Sequence, residues 1–289
     1  MEVSWKDRFP KENRYFETDN GILYCADCLE IMPKFPKESI DLVITDPPYG
    51  IEKDKRFKYN YKNFFPFIEE AIRKLYDVMK FKGSIYVFSD YRNVHELKVF
   101  VMDKIFGKEN YLNNLVWCYK SQGFQRKKWS CKHDDILFYV KNKNNYTFNL
   151  EDVREKEISE ETWKRWKREI ERYGSIPTKK NGKVYWSSPY SPPKDWIVIN
   201  ALPQAHKERR FGKHPTQKPE ELIERLVKAS SNQNDLVLDC FTGSGTTVVV
   251  CEKLNRRWIG IEIEKEYCEI AKQRVLREIR QLEIDLKRN

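Results

Sequence analysis

The residues best suited to chemistry in this sequence are four consecutive ones, Asp46, Pro47, Pro48 and Tyr49. They follow the apolar run 40–45, which is typical of a short buried strand and is stopped abruptly by proline. We therefore expect the tetrapeptide in a loop at the carboxyl end of a strand, where open α/β sheets place their ligands. A carboxylate, a stiff proline elbow and a flat aromatic ring could together hold a planar amine.

A second candidate site lies in the C-terminal part of the chain. A predicted strand at 235–239 leads into a turn with Gly243 and Gly245, and Glu262 follows at about the distance expected of a ribose ligand. The glycines let a ligand approach the backbone, and the helix that follows offers free amide groups. Val248 stands where a dinucleotide fingerprint has its third glycine, which favours a nucleoside with a smaller charged tail over a pyrophosphate. The alternative is a purely structural glycine turn.

Five stretches occur in an order that is typical of one enzyme family. They are Ala26-Asp27-Cys28, DPPY at 46–49, HPTQKP at 214–219, LDCFTGSGTT at 238–247 and IGIEIE at 259–264. With these motifs the chain resembles an S-adenosylmethionine-dependent DNA amino-methyltransferase of the β arrangement, in which the catalytic half precedes the cofactor half. The resemblance covers most of the chain outside 1–20 and 142–195.

The resemblance implies roles for individual residues. The catalytic loop would consist of Asp46, Pro47, Pro48 and Tyr49. The residues implied in S-adenosylmethionine binding are Asp27 at the adenine amine, Glu262 at the ribose, Thr216 and Lys218 at the methionine end, and Asp239, Phe241, Gly243, Ser244, Gly245 and Thr246 in the glycine loop. An ammonium donor can pair with the carboxylate at the methionine end. Cys240 replaces the proline that is common in this loop, and we expect binding to survive the change.

The reaction can also be argued from residue chemistry. An exocyclic amine of adenine or cytosine is a poor nucleophile because its lone pair is delocalised into the ring. If Asp46 accepts one N–H and the Pro47 carbonyl the other, the nitrogen approaches tetrahedral geometry and its lone pair points at the methyl group. Tyr49 would stack on the base, which has to be flipped out of the duplex. The same acceptors repel a keto oxygen, which disfavours guanine and thymine.

Helices and strands alternate through the regions that carry these motifs. Strands are predicted at 22–25, 40–45, 84–88, 114–119, 135–140, 197–199, 235–239 and 258–261, and helices at 64–79, 94–105, 248–254, from 220 and along the C-terminus. This alternation favours an α/β fold of Rossmann-like type: a mostly parallel sheet with helices on both faces, plus an inserted small target-recognition region. The strand at 135–140 is expected to form a hairpin with its predecessor.

The same pattern predicts the organisation of the chain. We expect an N-terminal arm over the core at 1–20, a catalytic half at 21–141, an insert at 142–195 and a cofactor-binding half at 196–289. The insert should contain a highly charged helix over 151–172.

The charge of the chain favours a polyanionic partner. Its formal net charge is +10 and its pI about 9.1, although a lysine- and glutamate-rich solubilising surface would give similar values. The basic residues that we predict to contact DNA are Lys53, Arg56 and Lys58 in a mobile loop at 52–62, and Arg126, Lys127 and Lys128 in the loop 120–132. The insert interleaves tryptophan and tyrosine with lysine and arginine, which suits phosphates and bases, although such aromatics also pack small satellite cores.

Several classes are disfavoured by the sequence. It has no run of about 18 apolar residues and no apolar signal-peptide core, so we expect a cytoplasmic, nucleoid-associated protein. A zinc site from Cys25, Cys28, Cys131 and His133 is disfavoured by the distance between the two pairs, and no metal is predicted. Carbon-5 cytosine methylation needs a cysteine nucleophile, typically after proline, and none of the seven cysteines follows one.

The leading hypothesis is N6-methylation of adenine in double-stranded DNA. An aspartate rather than a serine at position 46 favours adenine by resemblance, and N4-methylation of cytosine is the near alternative. An RNA or protein-glutamine methyltransferase is a more distant one, and a nucleic-acid-binding module with an inactive cofactor fold is the non-enzyme alternative. The resemblance also suggests a homodimer and a cognate restriction endonuclease as partners.

Overall fold

The computed structural model describes residues 4–49, 61–120, 126–127, 129–156, 168, 172, 176–180, 183–187, 190–191, 193–203, 205–212 and 214–287. The chain forms two compact units: Met1–Phe148 together with Asp195–Asn289, and Asn149–Lys194. The functional boundaries predicted at 21–141, 142–195 and 196–289 stay predictions.

A nine-stranded sheet forms the centre of the larger unit. Its strands are β1 (Arg14–Glu17), β2 (Gly21–Cys25), β3 (Ile40–Thr45), β4 (Met79–Ser89), β5 (Tyr111–Cys118), β6 (His133–Val140), β11 (Trp196–Val198), β12 (Leu236–Asp239) and β13 (Arg257–Glu262). They lie in the order β1-β2-β13-β12-β3-β4-β6-β5-β11. Five neighbouring pairs are parallel and three are antiparallel, the latter including the predicted β5–β6 hairpin. The mostly parallel sheet is therefore confirmed.

Helices cover the sheet on both faces. The described α-helices of the larger unit are Cys28–Ile31, Tyr61–Val78, Val94–Glu96, Asp103–Phe106, Glu220–Ser230, Thr246–Lys253 and Lys265–Leu286. Alternate residues of a strand point to opposite faces, so Ile85 and Val87 of β4 belong to one apolar cluster while Tyr86 and Phe88 belong to the other. The helix Tyr61–Val78 packs in the first cluster, and the three C-terminal helices pack in the second.

The order of the strands decides where the motifs meet. β3 pairs in parallel with β12, β12 with β13, and β13 with β2, so all four carboxyl ends lie at one edge of the sheet. Asp46 follows β3, Asp239 ends β12, Glu262 ends β13, and Asp27 lies just beyond β2. Neighbouring strands are separated by about 4.8 Å, so roughly 14 Å separate the ends of β2 and β3 along this edge. Motifs that are far apart in sequence thus face a single cleft.

The loop between β5 and β6 leaves the sheet at the same edge. Ser89, the last residue of β4, pairs with Asp135 of β6, and Cys118 of β5 pairs with His133. The segment that contains Arg126 and Lys127 therefore begins and ends on the side of the sheet where the tetrapeptide 46–49 lies.

Three expectations are corrected by the structure. Residues 14–17 of the predicted arm form the edge strand β1, whose short, half-buried pattern carries no clear period. The helix at 94–105 contains a π-helical segment, Leu97–Met102. In the smaller unit, the helix expected over 151–172 is interrupted near its start, because Leu150–Val153 is helical but Glu155–Lys156 forms β7. Residues 168 and 172 are helical as expected, and the rest of the range after 156 lies outside the described residues.

The smaller unit contains two antiparallel strand pairs. β8 (Ile176–Lys180) pairs with β9 (Lys183–Ser187), and β7 pairs with β10 (Tyr190–Ser191). Within the part of the chain that the structure describes, none of the helices has the length and apolar character needed to span a membrane.

The buried Glu252 joins the turn between β1 and β2 to Trp258 of β13. Its carboxylate accepts hydrogen bonds from Thr18 Oγ1 (3.0 Å), Asn20 Nδ2 (3.2 Å) and the indole Nε1 of Trp258 (2.6 Å). Trp258 is fully buried, so its N–H depends on this acceptor.

We expect Glu252→Ala to lower the free energy of unfolding by about 2–4 kcal/mol, because a buried indole N–H loses its acceptor. Chemical denaturation monitored by circular dichroism measures the change. Glu283→Ala, at an exposed position of the closing helix, is the matched control and should change the free energy by no more than about 0.5 kcal/mol. Equal effects of the two substitutions would contradict the anchoring role.

Candidate active site

A pocket at the carboxyl edge of the sheet collects the predicted residues. It is lined by every predicted catalytic and cofactor-binding residue except Gly245. These lining residues are Asp27, Asp46, Pro47, Pro48, Tyr49, Thr216, Lys218, Asp239, Phe241, Gly243, Ser244, Thr246 and Glu262. The two candidate sites of the sequence therefore belong to a single cleft, while the roles of the individual residues stay predictions.

Asp46 is held from two sides. The strand β3 is buried along its whole length, and the prolines that follow it turn the chain into the pocket. The Tyr49 hydroxyl donates to Asp46 Oδ1 at 2.7 Å, and the Lys218 ammonium donates to Asp46 Oδ2 at 2.5 Å. Asn93 Nδ2 donates to the Tyr49 carbonyl at 2.6 Å and so fixes the far end of the tetrapeptide. The carboxylate thus has a defined orientation.

Lys218 is a buried cation in this pocket. Its ammonium lies 5.5 Å from the ring centre of Tyr49 and 5.1 Å from that of Phe88, and its side chain is only 7% exposed. Thr246 Oγ1 donates to its backbone carbonyl at 3.1 Å, which ties the segment 214–219 to the glycine loop. The resemblance assigned Lys218 to the methionine end of the cofactor, whereas the structure places its ammonium on Asp46.

The glycine loop has a conformation that requires glycine at two positions. Gly243 and Gly245 have φ values of 52° and 85°, in the left-handed region. A Cβ atom on Gly243 would lie 3.0 Å from His214 Nε2 in the pocket wall, and one on Gly245 would lie 2.7 Å from Ala271 Cβ. Gly243 therefore keeps the pocket open, while Gly245 serves the packing of the closing helix.

Glu262, at the end of β13, holds the same loop through its carboxylate. Its carboxylate accepts hydrogen bonds from the backbone N–H of Gly243 at 2.7 Å and of Glu264 at 2.8 Å. A carboxylate has about four acceptor positions, so capacity remains for ribose hydroxyl groups. Asp27 likewise accepts from Leu29 N at 2.8 Å and faces the pocket from the end of β2.

Burial shifts the protonation equilibria of the pocket. It raises the pKa of Asp239 to about 7, helped by the nearby charges of Asp46 and Glu262 and opposed by hydrogen bonds from Thr247 and the Phe241 backbone. Burial also raises the pKa of Glu262, although backbone donors oppose it. The pKa of Tyr49 is raised by burial and by the Asp46 carboxylate, which keeps its hydroxyl a hydrogen-bond donor.

The charges of the pocket suit a cationic nucleoside ligand. Four carboxyl groups line it, those of Asp27, Asp46, Asp239 and Glu262, and Lys218 is the one lysine or arginine among its described lining residues. S-adenosylmethionine combines a sulfonium and an ammonium with a single carboxylate, so its net positive charge matches this set. Its ribose and adenine amine would meet acceptors at Glu262 and Asp27. The residues present therefore fit this cofactor.

Arg274 is an organising residue that the sequence analysis missed. The side chain is 3% exposed and donates to Ser244 O at 2.8 Å, Thr246 Oγ1 at 3.0 Å and Glu220 Oε1 at 2.7 Å. It thereby joins the closing helix, the glycine loop and the helix Glu220–Ser230. The available signal was its position: an arginine within the apolar stripe of a helix that also buries Ala271 and Val275.

The predicted DNA-contacting residues are only partly described. Arg126 and Lys127 are exposed, as is Trp129 with 97% of its surface accessible. Lys53, Arg56, Lys58 and Lys128 lie outside the described residues. DNA contact by these residues stays a prediction. Among the described residues, no group of histidine, cysteine and carboxylate side chains could hold a metal ion.

The fold and the site together define a Rossmann-like methyltransferase. The sheet is mostly parallel, and one cleft holds a glycine loop, a carboxylate at the end of the next strand and an acidic proline loop. Residues 40–273 match the N6/N4 methyltransferase family model, described as DNA methylase, and the chain belongs to this family. This match, together with the likeness to a solved methyltransferase–SAM complex, confirms the predicted family, fold class and cofactor. The protein is an S-adenosylmethionine-dependent DNA methyltransferase.

Similar proteins agree with this assignment. The chain is 34% identical over 257 residues to the type II methyltransferase M.HpaI of Haemophilus parainfluenzae, covering 88% of this chain and 73% of that protein. It is 33% identical over 256 residues to the DNA adenine methyltransferase YhdJ of Escherichia coli, covering 86% and 81%.

Solved structures show the same fold. The M1.HpyAVI–SAM complex is 26% identical with a TM-score of 0.57, over 88% of this chain and 98% of that one. The cytosine-N4-specific PvuII DNA methyltransferase has a TM-score of 0.67 over 91% and 89% of the two chains. At 19% identity, the latter supports the fold alone.

We expect Arg274→Met to weaken binding of S-adenosylhomocysteine about tenfold, because the glycine loop and Glu220 lose a shared charged donor. Isothermal titration calorimetry measures the affinity. Arg280→Met, at an exposed position of the same helix, is the control and should bind like the unmodified protein. A folded Arg274→Met variant with full affinity would refute the organising role.

A pH-dependent effect follows from Asp239. Because its pKa in the folded chain is about 7 rather than the ordinary 3.8, the folded chain binds the proton more tightly than the unfolded chain does. The resulting stabilisation is present below the ordinary pKa and is lost as the pH rises through about 7.

We therefore expect Asp239→Asn, which cannot ionise, to gain stability relative to the unmodified protein by roughly 1–2 kcal/mol between pH 5.5 and pH 8. Urea denaturation across this range measures the difference, and Asp19→Asn at an exposed position is the control. A difference that stays constant with pH would show that Asp239 does not titrate in this window.

Proposed function

We propose that the protein transfers a methyl group from S-adenosylmethionine to the exocyclic N6 of an adenine flipped out of duplex DNA. The observation that carries this proposal is the Asp46 carboxylate, oriented by Tyr49 and Lys218 inside the same pocket as the glycine loop. When bound, S-adenosylmethionine supplies an electrophilic methyl group on its sulfonium.

In this proposal the tetrapeptide activates the amine. Asp46 accepts one N–H of the base and the Pro47 carbonyl accepts the other, which directs the nitrogen lone pair along the line of transfer. The proton released from nitrogen passes to Asp46 or to solvent. Tyr49 stacks on the base, which enters from an unpaired, flipped position.

Adenine is favoured over cytosine by two considerations. Position 46 is an aspartate, which by resemblance accompanies adenine, and one relative, YhdJ of Escherichia coli, is a DNA adenine methyltransferase. N4-cytosine methylation is the alternative because the same two acceptors also hold the cytosine amine. The cytosine-N4-specific PvuII enzyme shares the fold.

The basic segments supply the contacts to DNA in this proposal. The loop with Arg126 and Lys127 leaves the sheet at the edge where the pocket lies, and the net charge of +10 favours a polyanion. The region 142–195 reads the recognition sequence. Type II relatives such as M.HpaI support a role in restriction-modification. By the family resemblance alone, the proposal also includes a cognate endonuclease, a cytoplasmic location and a homodimer as the working form.

Methyl-labelled S-adenosylmethionine with unmethylated DNA, RNA or protein tests the proposal. We expect label in DNA, recovered after digestion as N6-methyldeoxyadenosine by mass spectrometry. Asp46→Ala should lower transfer more than about a hundredfold, while calorimetry shows cofactor binding largely retained. Asp285→Ala, at an exposed position, is the control and should remain active.

Each contrary outcome has a separate meaning. Label in N4-methyldeoxycytidine would overturn the adenine assignment, and label only in RNA or protein would overturn the DNA substrate. Retained turnover by Asp46→Ala would remove the role of the carboxylate.

A further inference from the structure

Both oxygens of the Asp46 carboxylate accept hydrogen bonds from side chains of the protein itself. Tyr49 donates to Oδ1 at 2.7 Å, and the Lys218 ammonium donates to Oδ2 at 2.5 Å. Lys218 Nζ also lies 3.4 Å from the Tyr49 hydroxyl oxygen. An N–H donor of the protein itself therefore competes for the carboxylate that the proposed reaction assigns to the amine of the base.

This arrangement is unsuited to methyl transfer as it stands. An ammonium at 2.5 Å competes with the amine for Asp46 Oδ2. It also places a full positive charge beside a nitrogen that becomes positive as the methyl group is transferred, which raises the energy of the transition state. Lys218 has to leave Asp46 before the base is activated.

The Lys218 ammonium can leave Asp46 only if another partner lies within its reach, because it is buried away from bulk solvent. Its side chain is 7% exposed and packs near the rings of Tyr49 and Phe88. A cation in such surroundings needs a second anion within the pocket. Asp134 lies close enough for Lys218 to oppose the rise that burial causes in its pKa, but that rise makes the Asp134 carboxyl a weaker anionic partner for an ammonium.

The cofactor brings the missing anion. Its adenosine end would suit Asp27 and Glu262 at the ends of β2 and β13, and its amino-acid end would then extend towards β3, the side of the cleft with Lys218. Lys218 is the one lysine or arginine among the described lining residues, and hence the natural partner of a carboxylate there. Thr246 holds the Lys218 backbone carbonyl at 3.1 Å, so the side chain can move while the backbone stays in place.

We propose that Lys218 couples the two substrates by exchanging its ion-pair partner, from Asp46 in the free enzyme to the carboxylate of the cofactor. Cofactor binding then releases Asp46 for the amine of the flipped base. The inference rests on the proposed function only in that Asp46 receives the amine, and it holds equally for adenine and cytosine. Because coupling between sites is reciprocal, DNA also tightens cofactor binding.

A matched pair of ligands tests the exchange without any methyl transfer. S-adenosylhomocysteine carries the amino-acid carboxylate, and 5′-methylthioadenosine has the same nucleoside without it. The affinity for a fluorescent duplex is measured with no ligand and with each ligand at saturation. The duplex contains the target base that the labelling experiment identifies.

We expect S-adenosylhomocysteine to tighten DNA binding about tenfold, within the range usual for coupled sites, and 5′-methylthioadenosine to change it less than about twofold. In the Lys218→Met variant, the two ligands should have the same effect on DNA affinity. Without any ligand, this variant should bind DNA more tightly than the unmodified protein does. Lys218→Arg keeps the charge and should retain part of the coupling.

Lys253→Met is the control variant. Lys253 also donates to a carboxylate at 2.7 Å, that of Glu224, but does not line the pocket, so its loss should leave the coupling unchanged. If Lys218→Met does not fold, the DNA affinities of the unmodified protein with the two ligands still test the exchange.

Equal tightening of DNA binding by both ligands, or full coupling in a folded Lys218→Met variant, would overturn the exchange while leaving methyl transfer intact. Label in cytosine would overturn only the adenine assignment and leave the coupling as predicted. A protein that methylates no DNA and binds no duplex would overturn both the proposed function and the exchange.

Discussion

The site exists because β3 and β12 lie side by side and run in the same direction. Val237 pairs with Leu42 and Leu238 with Val43, which brings the ends of both strands to one level. Just beyond this pairing, Thr45 Oγ1 and Cys240 Sγ are 3.3 Å apart although 195 residues separate them in sequence. A slip of one residue would displace the acidic loop from the glycine loop by about 3.3 Å and exchange the faces of the strand. The geometry of the reaction is therefore set by the packing of the core.

Buried charges then hold the loops that the strands deliver. Glu262 accepts the N–H of Gly243, while Arg274 donates to the Ser244 carbonyl, so the glycine loop is fixed from two directions. Lys218 fixes Asp46 in the same way. Buried ion pairs contribute little net stability because desolvation offsets their attraction, and their value here is the orientation of polar groups. This arrangement holds the polar groups of the pocket in defined positions.

The sequence predicted strands and motif positions correctly where a local pattern of residues indicates them. The strand 40–45 and the start of a helix at Glu220 agree with β3 and the helix Glu220–Ser230, because apolar runs and periods are local signals. The short edge strand β1 was missed because its half-buried pattern resembles a coil. The Lys218–Asp46 pair could not be predicted, since it depends on how the segment 214–219 folds over the end of β3. The partners of Arg274 also required the tertiary structure, although its place in an apolar stripe was visible.

The charge of the pocket bears on which form of the cofactor it prefers. Four lining carboxyl groups face one ammonium, and the raised pKa of Asp239, about 7, leaves part of this negative charge titratable near neutrality. Methyl transfer removes the sulfonium charge from the cofactor and, after loss of a proton, leaves both products in the pocket with one positive charge fewer. An acidic, partly buried cleft interacts more favourably with the sulfonium form than with the neutral thioether. We therefore expect its electrostatics to favour the reactant cofactor over the spent one, which helps to expel the product after each transfer.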